Sequence, residues 1–496
     1  MTSAATVWML LGYEWRRVLR APIVWMALGL LLTAGAAGAL NAARLHANQT
    51  ADIARMAEQE GTWYADVRVR AARYAQPSST PVPYWQDPTG ASGFSRYYLR
   101  RFAAKPHLPL SMLAVGQSDL QPFAVPLRLE TLFGGDRVYD YQPPRALATG
   151  LFDFSFVLVF VLPLCIGVVV AVVGAHERDQ DVLSLVAAQP LTPRRWWSAR
   201  LIALALVLAP GVAVVTVIAL VVAGAPVLGD GRETLAVAAL VAAHTLLWLA
   251  LGGACLARGQ GAIATASVIT GVWLCLTAGV PLAGSLAVRL VAGPPTAVAD
   301  VNELRRTTDD VQSGADAVVA RRLVAHLGPT AASIDPGSLD YSTRLVLITE
   351  ELEERLASQE RRRQAYARTS AGIAAIVGWL SPQVAVQTAL ADLAGTGTSR
   401  HQRFLSAVRD FQLELRTFMN PRVLAPVRSP VRPACNGCPG RLTFTDYDAI
   451  PRFTLQDVSA DARSAAALVT AAWLGVLALV VATWGIGGGT SWHLGS

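Results

Sequence analysis

The stretch that decides the fold is residues 151–223, in which two apolar runs flank a short polar loop. It reads LFDFSFVLVFVLPLCIGVVVAVVGA over 151–175, HERDQDVLSLVAAQPLTPRRWWSAR over 176–200 and LIALALVLAPGVAVVTVIALVVA over 201–223. A bilayer crossing takes about 20 apolar residues, so each flanking run is long enough to span a membrane. The loop carries acids first and arginines last, which predicts a short helix followed by a basic boundary to the next span.

The composition of the whole chain agrees with this reading. Of its 496 residues, 53% are hydrophobic and only 16% are charged, whereas soluble domains carry about 25% charged residues. The net charge of +7 comes from scattered arginines, and no basic recognition helix indicates nucleic-acid binding. We therefore predict an α-helical polytopic membrane protein.

Further apolar runs divide the chain into six predicted transmembrane helices and two mainly helical or irregular extracytoplasmic domains. The six spans are predicted at 23–40, 151–175, 201–223, 235–256, 262–286 and 465–485. The other segments are a cytoplasmic amphipathic elbow helix at 1–22, a cytoplasmic coupling loop at 176–200, and extracytoplasmic domains at 41–150 and 290–462.

Arginines in the short loops predict the orientation. The N-terminal segment and the 176–200 loop carry several, whereas the 225–233 turn carries one that is offset by acids. Because cytoplasmic loops are enriched in arginine and lysine, both termini are predicted to be cytoplasmic. The apolar segment 372–394 is interrupted by Ser381-Pro382-Gln383, and we predict that it is an amphipathic helix at or near the membrane surface.

The polar loop holds the candidate binding residues. Glu177 and Asp179 lie at the start of its short helix, where negative charge suits the helix dipole. Leu183 and Val186 form an apolar face together with Val182. Such a face belongs either to an ordinary solvated loop or to a docking element that buries it against a partner.

This arrangement resembles the permease subunits of type-two ABC exporters. The resemblance lies in an acid after a span, a short helix, and Gln189-Pro190 with basic residues before the next span. That family usually has Gly-Thr-Leu inside the helix, where this chain has Asp181-Val182-Leu183. Large inserts after spans one and five are similar to the branch that includes the permease of the nitrous-oxide-reductase copper-maturation transporter.

The resemblance implies ATP-driven export, or work on periplasmic partners, in the bacterial inner membrane. It implies an ABC ATPase docked on Glu177, Asp179, Leu183 and Val186, a second identical or paralogous permease, membrane lipid and a periplasmic partner. The chain has no phosphate-binding loop of its own, because its one lysine, Lys105, lies in the sequence AAKP. We therefore expect no catalytic residue, metal or cofactor in this chain, with ATP bound by the partner.

Three features leave other functions open. Cys435 and Cys438 form a Cys-x-x-Cys pair, which outside the cytoplasm indicates a structural disulfide, with a redox or metal site as the alternative. His107 and His401 are candidate additional metal ligands. His244, inside the fourth span, is either a functional residue or a neutral histidine bonded to a neighbouring helix. The alternatives to a permease are therefore a membrane-anchored receptor or sensor and a metal- or thiol-handling membrane protein.

Overall fold

The computed structural model describes residues 3–74, 82–116, 118, 121–130, 152–224, 231–293, 297–428 and 438–488. Over these residues the protein is mostly helical, and six helices are long and apolar enough to cross a membrane. The predicted fold class is thus confirmed. The candidate spans, numbered one to six here, are Pro22–Tyr74, Phe154–Gly174, Pro193–Val222, Arg232–Ala257, Ala262–Ala292 and Ala460–Gly485.

The other elements lie before, between and beyond these spans. A two-stranded antiparallel sheet pairs β1, Arg101–Ala104, with β2, Ala124–Leu127. The elbow helix is Ser3–Arg20. The remaining helices are Ala91–Gly93, Phe94–Tyr98, His176–Asp179, Leu183–Ala187, Ala297–Ser313, Ala315–Leu327, Pro329–Ser333, Pro336–Ser338, Tyr341–Leu380, Pro382–Ala394, Thr398–Arg428 and Phe444–Ala449.

The spans pack closely where one of them carries a small residue. A Cβ atom on Gly38 of span one would lie 2.7 Å from the backbone carbon of Asp153, so only glycine fits there. A Cβ atom on Gly252 of span four would lie 2.7 Å from the Cγ1 atom of Val170 in span two. Because lipid is as apolar as leucine, such close backbone approach is what holds membrane helices together.

The two long polar segments fold around one shared apolar core. Val67 and Phe94 from the first segment pack with Phe404, Leu415 and Tyr447 from the second. Arg416, which is buried, donates a hydrogen bond to the backbone carbonyl of residue 129 at 3.1 Å. The two segments, which are far apart in the sequence, therefore form one polar domain beside the membrane helices.

The loop between spans two and three is shorter than predicted. Span three begins at Pro193 rather than at residue 201, because proline is well placed in the first turn of a helix, where its missing N–H costs nothing. The segment 193–200, with its arginines and tryptophans, is therefore the first part of span three. The loop itself is 176–192.

The segment 372–394, predicted as one amphipathic helix at or near the membrane surface, instead forms a helical hairpin packed among the spans. Helix Tyr341–Leu380 runs beside span five, and helix Pro382–Ala394 returns packed on spans four and six. At the turn, the Ser381 hydroxyl donates to the carbonyl oxygen of Leu276 at 2.7 Å. Leu276 is close to the midpoint of span five, so the turn reaches about half the depth of the span.

The residues that interrupt the 372–394 segment also explain its shape. Ser381 caps the returning helix by accepting a hydrogen bond from the Val384 amide at 3.3 Å, and Pro382 starts that helix. Gly395, at a φ of 70°, ends it in the left-handed conformation. The sequence break that argued against a span is thus the turn of a hairpin that enters and leaves on one side.

Candidate functional site

The loop 176–192 contains two short helices rather than the single helix that the sequence predicts. They are His176–Asp179 and Leu183–Ala187. Between them Asp181 takes a φ of 56°, the only positive φ among the described non-glycine residues. Aspartate tolerates this conformation better than most residues do. The turn redirects the chain, so the residues on its two sides do not share one helical face.

A buried group of four charged side chains lies where this loop meets the membrane helices. We call it the Arg200 cluster, and it consists of Glu14, Arg17, Glu177 and Arg200. The side chains of Glu14 and Arg200 are fully buried. The Arg200 guanidinium donates to Glu14 at 2.9 and 3.1 Å and to Glu177 at 2.7 Å. Arg17 of the elbow helix pairs with Glu177 as well.

Backbone groups complete the Arg200 cluster. Arg200 donates to the carbonyl of Gly174 at 2.7 Å, and Arg17 donates to the carbonyl of Val173 at 2.6 Å. Both carbonyls lie in the last turn of span two, which lacks intrahelical partners for its final C=O groups. The cluster therefore connects the elbow helix, the end of span two, the loop and span three through one set of hydrogen bonds.

The charges in the cluster balance. Burial alone would raise the pKa of Glu177, but the hydrogen bonds and positive charge of Arg200, together with the charge of Arg17, hold it below its ordinary value. Glu177 is therefore ionised at neutral pH. The Trp196 ring lies 4.1 Å from the Arg200 guanidinium carbon and covers it from water. Two carboxylates and two guanidinium groups thus form a balanced set, in which Glu14 and Arg200 are fully shielded from water.

Two of the four residues predicted to dock a partner are buried within the chain's own fold. Glu177 belongs to the Arg200 cluster, and Leu183 is only 8% exposed because it packs in the membrane-helix core that includes Trp196 and Trp197. Val186 is half-buried against the same core. The indole pair, one helical turn before Arg200, covers this apolar face from within the chain, where the sequence predicts a partner.

Asp179 is exposed, and it also has a role within the chain. Its carboxylate accepts a hydrogen bond from the backbone N–H of Ala262 at 3.3 Å. Ala262 is the first residue of span five, where backbone N–H groups have no partner within the helix. Asp179 therefore links the loop to span five, just as Glu177 links it to span three.

The apolar residues that the loop does expose are Val182 and Leu185. Their exposed fractions are 37% and 67%. They lie on the side of the second short helix that points away from Leu183. Val182 was predicted to share the docking face of Leu183 and Val186, whereas Leu185 was not predicted to take part. The available signal was that Leu183 and Leu185 cannot share one face of a short helix, so one of the two had to point outward.

The cysteine pair lies at the edge of the described residues. Cys438 is disulfide-bonded, whereas Cys435 falls outside the described part of the chain, so the predicted pairing stays a prediction. Cys165, Cys255 and Cys275 are unpaired. Across the described residues no three histidine, cysteine or acidic side chains come together as a metal site.

His107 and His401 lie near Lys105, at the base of the polar domain. Nε2 of His107 and Nδ1 of His401 are buried without a hydrogen-bond partner among the described residues. Burial, with the charge of Lys105, lowers the pKa of each histidine to about 4. Burial likewise lowers the pKa of Lys105 to about 8. The two histidines are therefore neutral packing residues at neutral pH.

This burial predicts acid sensitivity in a defined window. Each histidine has an ordinary pKa of 6.5, so the unfolded chain binds more protons than the folded one as pH falls from 6.5 towards 4. Above pH 6.5 the two buried histidines cost the folded state nothing, and stability is lost as the pH falls from 6.5 towards 4. We expect the melting temperature to drop between pH 7 and 5, and to drop less in a His107→Gln/His401→Gln variant. An equal drop in the variant would show that other groups carry the effect.

Comparison with known proteins adds one match. No curated protein and no solved structure matches the chain. The matching family model, described as a domain of unknown function (DUF3526), covers residues 330–429. This region holds the helix Tyr341–Leu380, the returning helix Pro382–Ala394 and Thr398–Arg428. The residues similar to that family are therefore those that form the hairpin and its support in the polar domain.

Proposed function

We propose that this protein is the membrane-spanning subunit of an ATP-binding-cassette transporter, whose ATPase is a separate protein bound to the loop 176–192. The observation that carries the proposal is the Arg200 cluster. It joins a loop with an exposed apolar tip to three membrane-domain elements through buried, charge-assisted hydrogen bonds. A merely solvated loop has no need of such a connection.

The geometry supports a mechanical role for the cluster. A buried ion pair is costly to break, because separation leaves unpaired charges in a desolvated site. Movement of Glu177 would therefore move Arg200 and Arg17 with it rather than pull free. Since Asp179 also bonds the start of span five, a force on the loop would reach spans two, three and five together.

The exposed tip supports a docking role. Val182 and Leu185 present apolar surface beside the turn at Asp181. Burying one such side chain in a groove contributes roughly 1.5–3 kcal/mol. In the exporter family that this chain resembles, glycine usually occupies the position of Asp181, and the positive φ at this position gives glycine a physical reason to be there. That agreement supports reading the loop as a coupling element.

The proposal includes an orientation and partners. The loop and both termini would face the cytoplasm of a bacterial inner membrane, and the polar domain would face the periplasm. A second permease subunit, identical or paralogous, would complete the transporter. Energy would come from ATP bound by the partner ATPase, which would drive export or work on a periplasmic protein.

The orientation is tested by cysteine labelling in intact cells. Ser358, on an exposed position of helix Tyr341–Leu380, and Ser184, exposed in the loop, are suitable sites. In a background without exposed thiols, a cysteine at 358 should react with a membrane-impermeant maleimide from outside. A cysteine at 184 should react only after permeabilisation. The reverse pattern would place the loop on the wrong side for an ATPase.

The function is tested by purification from native membranes in mild detergent. We expect an ABC ATPase to co-purify with the tagged chain in fixed ratio, and ATP hydrolysis in the eluate to stop when the catalytic glutamate of that ATPase is replaced. Recovery of the intact chain with no ATPase, under conditions that retain other membrane complexes, would contradict the proposal.

A further inference from the structure

Spans two and five contain the same local irregularity. Each has a five-residue π-helical turn, Val157–Val161 in span two and Cys275–Gly279 in span five. In each case a proline follows the first residue of the turn by six positions, Pro163 and Pro281 respectively. A π-turn pairs each carbonyl with the amide five residues ahead rather than four.

In each span the proline removes the backbone donor that the π-register would supply to the next carbonyl. The carbonyl of Val157 accepts from the amide of Leu162, and that of Cys275 accepts from the amide of Val280. The next carbonyl in the same register, at Leu158 or Leu276, would need the amide of residue 163 or 281. Both are prolines and have no N–H. In a membrane core such a carbonyl must find a donor elsewhere or stay unpaired at a cost.

In span five the Leu276 carbonyl accepts a hydrogen bond from a side chain. The Ser381 hydroxyl, at the turn of the hairpin, donates to the Leu276 oxygen at 2.7 Å. Ser381 is fully buried. The same hydroxyl oxygen accepts from the Val384 amide, so one side chain both caps the returning helix and closes the gap in span five.

The carbonyl in span two faces a donor that does not reach it. His244 of span four is fully buried, and the Leu158 carbonyl is the backbone group that interacts with its ring. Neither ring nitrogen, however, makes a hydrogen bond within normal geometry to any described residue. The His244 ring and the Leu158 carbonyl thus interact at close range but outside normal hydrogen-bond geometry.

We propose that the two π-turns are hinges that differ in one hydrogen bond. In span five the Leu276 carbonyl is bonded by Ser381, and we call this hinge latched. In span two the Leu158 carbonyl has no such bond from His244, and we call this hinge unlatched. A latched hinge is stiff because its free carbonyl is bonded to another helix. An unlatched hinge bends at lower cost, and His244 is the donor positioned to close it when span two bends towards span four. The asymmetry makes span two the mobile one of the pair in this conformation.

The prolines give a matched test that needs no partner protein. Alanine at either proline position supplies the missing amide. Pro163→Ala should therefore slow amide hydrogen exchange around residues 158–166 about tenfold, the factor for gain of one buried hydrogen bond. Pro281→Ala should change exchange around 276–284 by less than threefold, because that carbonyl already has a donor. Equal effects of the two substitutions, in lipid nanodiscs, would overturn the asymmetry.

Removing the donors completes the test. Ser381→Ala should speed exchange around 276–284 about tenfold, and Pro281→Ala in the same chain should reverse most of that change. In both variants the loss of the Ser381 cap should speed exchange at 382–385. This readout separates the capping role of Ser381 from its bond to the Leu276 carbonyl. His244→Phe should leave exchange in span two unchanged. Faster exchange in that variant would show that His244 is already bonded, and would overturn the unlatched assignment.

Discussion

Replacing Arg200 with methionine is expected to destabilise the protein by about 3–5 kcal/mol, the usual cost of removing one partner from a buried ion pair. Arg200 is fully buried and is the shared donor to Glu14 and Glu177. Without it, Glu14 loses its main partner and Glu177 keeps only Arg17. Thermal unfolding of the purified variant in detergent, with its membrane level measured in parallel, gives the effect.

Two further variants keep this prediction falsifiable. Arg195→Met, one turn earlier on span three, removes an exposed arginine and should change stability by less than about 0.5 kcal/mol. Adding Glu14→Gln to Arg200→Met should restore much of the loss, because the remaining charges of the cluster, Glu177 and Arg17, then still pair with each other. Arg200→Met as stable as Arg195→Met would mean that the cluster does not hold the loop to the helices.

Replacing Leu185 with aspartate is expected to abolish ATPase association while leaving the chain folded. Leu185 is 67% exposed, so the substitution leaves the protein's own core intact. In a complex it would place an unpaired carboxylate in the partner's apolar groove, which costs more than the lost contact alone. We expect at least a hundredfold loss of affinity, from about 3 kcal/mol. Pull-down of the ATPase at matched membrane levels measures it.

The controls for Leu185→Asp come from the same chain. Leu413→Asp makes the identical change at a leucine that is 49% exposed in the polar domain, and should leave ATPase recovery unchanged. Leu183→Asp should instead lower the amount of folded protein, since Leu183 packs in the core with Trp196 and Trp197. Normal folding of Leu183→Asp with selective loss of the ATPase would restore the docking face predicted from the sequence.

The large-scale architecture follows from the sequence because long apolar runs report directly on membrane insertion. Runs such as 235–256 and 465–485 need no knowledge of their neighbours to be recognised. The hairpin at 372–394 was missed for the same reason, since each arm is too short to span alone. Its place depends on contacts with span five, above all that of Ser381 with Leu276, and such contacts leave no periodic signal.

The candidate site, like the fold, could be predicted only in part from the sequence. The sequence identifies the loop after span two, and the structure places the Arg200 cluster there. The sequence alone did not place Leu183 in the core, because Trp196 and Trp197 were predicted to lie at the membrane interface rather than against the loop. Nor could it pair Glu14 with Arg200, which are 186 residues apart. Local patterns predict helices well, whereas which face of a short helix is buried depends on the rest of the fold.

The measurement that tests the central claim most directly is site-specific photo-cross-linking from the loop in living cells. A photoreactive amino acid at position 185 should form a covalent adduct with an ABC ATPase, identified by mass spectrometry of the shifted band. The same residue at position 413, in the polar domain, should not form that adduct. Cross-links from 185 to lipid alone, or to a protein without a nucleotide-binding domain, would contradict the account.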